Sequence, residues 1–193
     1  NIAIETVGIA DQLGSESPII IDASSAHRTN NDWAYGLPEL GMEYKNKIER
    51  SKRISVPGCY ATGVNVILKP MIEKKMLPSN IPLVIHAVSG YSGGGKDLIN
   101  YFSNQSHEPF FNYGLQLNHK HLPEIKYHNG LELIPIFSPS VGDFIQGMTV
   151  CVPIHFKWLS KLVKTEDIQT VIEDFYCDSE FIKVLKKIEG LKR

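Results

Sequence analysis

The sequence predicts an α/β protein with a mixed sheet, and three observations carry that prediction. A short continuous apolar run, Ile19-Ile20-Ile21 after Pro18, reads as a strand buried in a parallel sheet. Val64, Ile67, Leu68, Met71 and Ile72 recur at i, i+3, i+4, i+7 and i+8, the stripe of an amphipathic helix. Two longer apolar stretches, 131–137 and 145–156, read as strands around a turn at 138–144.

The remaining elements follow in order. Residues 4–13 have amphipathic character and stop at Gly14. The Ile19–Ile21 strand ends at Asp22 and opens into a polar loop, Ala23 to Thr29, at the strand end where open α/β sheets bind ligands. Residues 30–52 read as loop and 53–56 as a strand. The turn Pro57–Gly63 then leads into the striped helix, which Pro70 is expected to kink or cut short. Residues 81–89 read as a strand, 90–96 as a glycine loop, and a short helix starts at Asp97. Residues 103–128 look irregular and close at Asn129-Gly130, a hairpin-type turn signal. A last helix is expected over 165–176, capped by Thr165, with a candidate strand at 181–185.

Composition narrows the classes. The chain has 193 residues, 42% hydrophobic and 21% charged, which suits a folded domain and excludes disordered, collagen-like or coiled-coil readings. Lys plus Arg number 20 against 21 acidic residues, a net charge of −1, so no nucleic-acid or anionic-membrane partner is expected. No apolar run approaches the roughly 20 residues that span a bilayer. The three cysteines, Cys59, Cys151 and Cys177, form no CxxC pair, which argues against a disulfide framework and for a reduced, cytoplasmic setting. Cys151, inside the apolar run 148–152, is expected in the core. The chain opens at Asn1 within a helical stretch, so it is expected to be a piece of something longer.

Cys59 is the sharpest chemical feature. Pro57-Gly58-Cys59-Tyr60-Ala61-Thr62-Gly63 puts a thiol at a helix N-terminus, where free N–H groups and the helix dipole favour the anionic form a nucleophile needs. A structural cysteine in a tight turn is the alternative. A thiol nucleophile needs a proton carrier, and His119-Lys120-His121-Leu122-Pro123 offers two imidazoles. If Pro123 holds this stretch extended, His119 and His121 share a face and Lys120 points away. A solvated surface loop is the alternative there. A zinc site from His86, His119, His121 and His128 lacks any ligand spacing to support it, and no metal is expected. The loop Gly90–Lys96 matches most of a phosphate-cradling P-loop, but Asp97 stands where Ser or Thr should hold magnesium. Anion binding by its N–H groups and Lys96, or a plain turn, remain. Arg28, just past the first strand, is either an anion clamp or a surface arginine.

Taken together, Asp22–Arg28, Tyr35–Leu40, Pro57–Gly63, Ser89–Lys96 and His119–Glu124 resemble, in this order, the N-acetyl-γ-glutamyl-phosphate reductase family in its shorter, second form. The likeness is looser over 131–156 and weak beyond 165. It implies a remnant of a Rossmann-type cofactor domain with connecting loop at 1–56. It also implies an α+β catalytic and dimerisation domain over 57–193, with a mixed, largely antiparallel sheet and its C-terminal part missing. The implied reaction is NADPH-dependent reduction of an acyl phosphate to a semialdehyde with release of phosphate, in arginine biosynthesis. Cys59 would be the nucleophile, with His119 the preferred base and His121 beside it. Ser89, Gly90, Ser92 and Gly93 would lie near NADP, Arg28 and Lys96 near substrate anions, and Glu39 near substrate. Val56 departs from the Asn that relatives commonly carry there. The resemblance implies homodimers or homotetramers and, with most of the cofactor domain missing, an isolated segment that is inactive. Two alternatives remain: an acyl-phosphate reductase of the aspartate-semialdehyde dehydrogenase kind, and a non-catalytic dimerisation segment.

Overall fold

A computed structural model describes residues 2–104, 106–160 and 163–185. Six helices occur among these residues: α1 (Ile2–Asp11), α2 (Met42–Arg50), α3 (Cys59–Glu73), α4 (Gly95–Ser103), α5 (Leu122–His128) and α6 (Thr165–Phe175). Their strands are β1 (Ile20–Asp22), β2 (Ala34–Tyr35), β3 (Arg53–Ser55), β4 (Val84–Gly90), β5 (Phe110–Asn112), β6 (Ile136–Gly142) and β7 (Met148–Cys151). The fold is mixed α/β with two sheets, as expected. Backbone contacts divide the chain into two compact units, residues 1–56 with 66–78 and 155–193, and residues 57–65 with 79–154. The sequence reading divides the chain once, after residue 56. Along the chain the two compact units alternate, and α3 begins in the second and ends in the first.

In the first unit β1, β3 and β2 form a parallel sheet in that order, with Ile21 opposite Ile54 and Ala34 also opposite Ile54. β1 is parallel as expected but not buried: Ile21, and Ile19 just before the strand, are 66% and 64% exposed. Residues 30–52, read as loop, hold β2 and α2. No residue of α2 is buried, so the helix presented no apolar stripe to read. The core gathers Tyr35, Leu37 and Leu40 against Tyr44 and Val66, and the buried His27 ring stacks on Trp33 with centroids 4.0 Å apart.

Pro70 was expected to kink α3 or cut it short; the helix is not cut short and runs through it to Glu73. A proline cannot donate to the carbonyl four residues back, here Val66. The Tyr176 hydroxyl donates to that oxygen instead, at 2.8 Å. Burial, with the charges of Glu39 and Glu73, pushes the Tyr176 hydroxyl well above its ordinary range, so it stays a donor. α6 starts at Thr165, which is therefore not its cap. The Lys164 N–H donates to the Asp167 carboxylate at 2.7 Å. No strand forms at 181–185.

In the second unit the sheet order is β5-β6-β4-β7. The central pair β4–β6 is parallel, with Ile85 opposite Phe137, and both outer ladders are antiparallel. The expected strand at 131–137 and turn at 138–144 are corrected: the strand is 136–142, an interior one despite Pro139. Proline lacks the ladder donor, but β6 gains from burial of Phe137 and Val141 at 1% and 2% exposure. The irregular stretch 103–128 contains β5 and α5. Asn129-Gly130 ends α5 rather than turning a hairpin, with Gly130 at φ +60°. Cys151 is exposed at the end of the edge strand β7, not in the core.

Candidate active site

Gly58 begins the site in the second unit. Its carbonyl accepts from the Thr62 N–H at 2.8 Å and the Thr62 hydroxyl at 3.0 Å, closing the first turn of α3. Its own N–H donates to Oε2 of Glu124 at 3.0 Å, a carboxylate only 1% exposed. A Cβ at Gly58 would fall on Glu124 Oε1 and within 2.5 Å of His121 Nε2. Glycine is therefore required, and the turn carrying Cys59 is fixed from behind by α5. Cys59, the first residue of α3, keeps its thiol exposed.

The two histidines meet by a different route from the expected one. Residues 119–121 are not extended: His121 has φ −89° and ψ −12° and leads into α5, with Pro123 in the first turn where no N–H is needed. The rings nonetheless come together, with centroids 4.6 Å apart and planes at 76°. The His121 N–H donates to His119 Nδ1 at 3.2 Å, which assigns the proton of the neutral His119 ring to Nε2. Burial, and then the charge of Lys120, hold the His119 pKa below its ordinary value, so the ring is neutral near pH 7.

Tyr60 packs edge-on to both rings at 6.0 and 5.9 Å. Its hydroxyl donates to Ser140 O at 3.2 Å and accepts from Tyr113 at 3.4 Å. Tyr113 is held protonated, well above its ordinary range, first by burial and then by its bond to Tyr60, with Cys59 nearby.

These groups line a cavity of about 430 Å³ in the second unit. Cys59, His119, His121, Ser89, Gly90, Ser92 and Gly93 all face it. Gly90 is where two backbones meet: a Cβ there would sit 2.7 Å from both Phe144 O and Gln146 N. The Gly90, Tyr91 and Ser92 N–H groups donate to Gly147, Phe144 and Ile145 carbonyls at 2.9–3.1 Å. At Gly93, by contrast, a Cβ would meet nothing nearer than Ser89 Oγ at 3.8 Å. At Gly93 that wall of the cavity carries no side chain.

Lys96 and Arg28, expected near substrate anions, and Glu39, expected near substrate, are not on the lining of this second-unit cavity. Lys96 is exposed in the first turn of α4 and does not line the cavity. Arg28 and Glu39 belong to the first unit. Arg28 is buried, its Nε donating to Val56 O at 2.9 Å and Nη2 to Ala23 O at 3.1 Å, so it ties together the chain after β1 and β3. Glu39 is half-buried in a short turn, 38–40. Sequence reasoning gave no role to Glu124, Tyr60, Tyr113 or Lys120. The Pro-Glu that follows the histidine pair was the one available signal, and its partner Gly58 is 66 positions away. Among the described residues, no group of three metal-ligating side chains converges, and no helix is long and apolar enough to cross a membrane.

Comparison with known proteins adds the lineage. The family model for the semialdehyde dehydrogenase dimerisation domain matches residues 59–192. The chain belongs to the semialdehyde dehydrogenase family. Among the family's curated members, N-acetyl-gamma-glutamyl-phosphate reductase of Sinorhizobium fredii is 41% identical over 190 residues, covering 96% of this chain and 62% of that protein. The chain thus spans less than two thirds of that relative's length. Among solved structures, aspartate semialdehyde dehydrogenase II from Vibrio cholerae superposes with a TM-score of 0.67 at 15% identity, covering 90% of this chain and 57% of the other. Aspartate semialdehyde dehydrogenase with NADP from Candida albicans does so at 0.51 and 16% identity, over 84% and 52%. These two likenesses are of fold.

Proposed function

We propose that this chain is the catalytic and dimerisation part of an NADPH-dependent N-acetyl-γ-glutamyl-phosphate reductase, acting in arginine biosynthesis. The observation that carries the proposal is the exposed Cys59 thiol on a turn fixed by Glu124, sharing one cavity with two histidines. The substrate is inferred from the name of the Sinorhizobium fredii relative. The Cys59 sulfur attacks the acyl carbon, the carbon–oxygen bond to phosphorus breaks, and phosphate leaves with the electron pair. The resulting thioester keeps the carbon electrophilic enough to be reduced, which a carboxylate would not be. NADPH, when bound, supplies the hydride. The Cys59 thiohemiacetal then collapses: the carbon–sulfur bond breaks, the semialdehyde leaves and the thiol is restored.

The histidines divide the work. His119, neutral with Nδ1 already accepting a hydrogen bond, presents Nε2–H as a donor to the acyl oxygen as negative charge grows on it. This differs from the base role expected of it, and the proton-carrier role passes to His121. Ser89, Gly90, Ser92 and Gly93 fit the nicotinamide end of the cofactor because their wall carries little side-chain bulk. Residues 1–56 are read as the end of the cofactor domain with its connecting loop and 57–193 as the catalytic and dimerisation domain. Arg28 and Glu39 are expected to serve the substrate only in the complete protein, and the chain alone is expected to be inactive. A homodimer or homotetramer in the reducing cytoplasm suits both the family's dimerisation domain and a free thiol.

Replacing Cys59 with Ser in the full-length protein abolishes reduction of the acyl phosphate, measured as NADPH oxidation; near-normal turnover would overturn the proposal. The fold likeness to aspartate semialdehyde dehydrogenases favours β-aspartyl phosphate as the second substrate to assay. Preference for it would replace the N-acetylglutamyl reading.

A further inference from the structure

The cavity beside Cys59 has a charge asymmetry. Among the described residues that line it, Lys120 is the one lysine or arginine, and no aspartate or glutamate is present. Lys120 is exposed, and its charge is felt by His119. The turned backbone at 119–121 explains the placement. An extended strand would alternate the three side chains, whereas this turn brings His119, Lys120 and His121 to the same cavity. Lys96, the lysine expected to meet an anion, is not on the lining.

We infer that Lys120 binds the phosphoryl group of the acyl-phosphate substrate and the inorganic phosphate that leaves it, an assignment that rests on Cys59 being the nucleophile. An acyl phosphate is anionic, and its leaving oxygen gains further charge as the carbon–oxygen bond breaks. An ammonium group beside that oxygen stabilises the separating charge. Lysine suits this role as a compact point charge with rotatable donors. With no carboxylate on the lining, nothing there competes for Lys120 or repels the phosphate.

The test measures iodoacetamide alkylation of each cysteine by peptide mass spectrometry, with and without inorganic phosphate. Cys151 and Cys177, exposed and off the cavity lining, are internal controls. Phosphate is expected to slow alkylation of Cys59 alone. In K120Q about tenfold more phosphate is needed for the same protection, the loss of roughly one charge-assisted contact, while K120R retains it. The His119 ring supplies a second readout: without the Lys120 charge its pKa rises, so its NMR titration moves to higher pH in K120Q. Failure of phosphate to protect Cys59, equal protection in K120Q, or its loss in K96Q instead would overturn the assignment. Cys59 alkylating no faster than Cys151 and Cys177 counts against the nucleophile reading separately, since protection is read from Cys59 alone.

Discussion

At Pro57–Gly63 the space a side chain would occupy is taken by neighbours, whereas at Gly90–Lys96 part of that space stays empty. Both segments are glycine-rich turns that enter a helix, and their sequences look alike as punctuation. In the first, Glu124 and His121 close on Gly58 and hold the backbone that carries Cys59. In the second, the 144–147 segment grips Gly90 from one side while Gly93 faces open space. One turn is held tightly by its neighbours, and the other leaves part of its surface open to the cavity. A glycine motif thus states that bulk is absent; the packing around it decides what the absence is for.

The comparison breaks most sharply at Gly58. Gly58→Ala forces its Cβ into Glu124 and His121, so full-length turnover is expected to fall by about 100-fold or more as Cys59 shifts. Stability drops by about 1–3 kcal/mol, the ordinary cost of overpacking, read by urea denaturation. Glu124→Ala leaves the Gly58 N–H without its acceptor and costs about 1–3 kcal/mol, with Glu124→Gln recovering part of it. Full activity in Gly58→Ala would show that the turn is not held as described.

A gentler perturbation acts on the second turn through pH. His107 Nε2 lies 3.1 Å from Asp143 and its Nδ1 2.6 Å from Asn104 O, and Asp143 precedes the segment that grips Gly90. The bond to Asp143, then that to Asn104, raise the His107 pKa above its ordinary 6.5. A raised histidine contributes its stability fully below pH 6.5 and loses it as pH climbs through the raised value. His107→Gln is therefore expected to lower the melting temperature at pH 6 and leave it nearly unchanged at pH 9. An equal effect at both would remove charge from the account. The smallest effect is expected for Gly93→Ala, within about 0.5 kcal/mol of wild type in stability, with the KM for NADPH raised and no comparable loss at Cys59.

The same contrast marks what the sequence revealed and what it concealed. The helix start at Cys59 and the histidine pair were legible because periodicity, proline and glycine act locally, while the division into two sheets was implied only by the family resemblance. α2 escaped because none of its residues is buried, and β6 because Pro139 argues locally against a strand whose neighbours are buried on both sides. The continuity of α3 through Pro70 depends on Tyr176, 110 positions from the carbonyl it satisfies. Glu124 and Lys120 were in plain view within a motif, yet their roles depend on a turn that the simplest reading of Leu122-Pro123 replaced with an extended strand. Local rules found the candidate groups, and distant partners decided how they are placed.

The central claim is that Cys59 takes the acyl group before any hydride is needed. Mixing the protein with N-acetyl-γ-glutamyl phosphate in the absence of NADPH tests it directly, by following phosphate release and the mass of the Cys59 peptide. The account predicts a burst of phosphate close to one per chain, with an N-acetylglutamyl group on Cys59 and none on Cys151 or Cys177. Phosphate that appears only when NADPH is present, or a Cys59 peptide that stays unmodified through the burst, would contradict it.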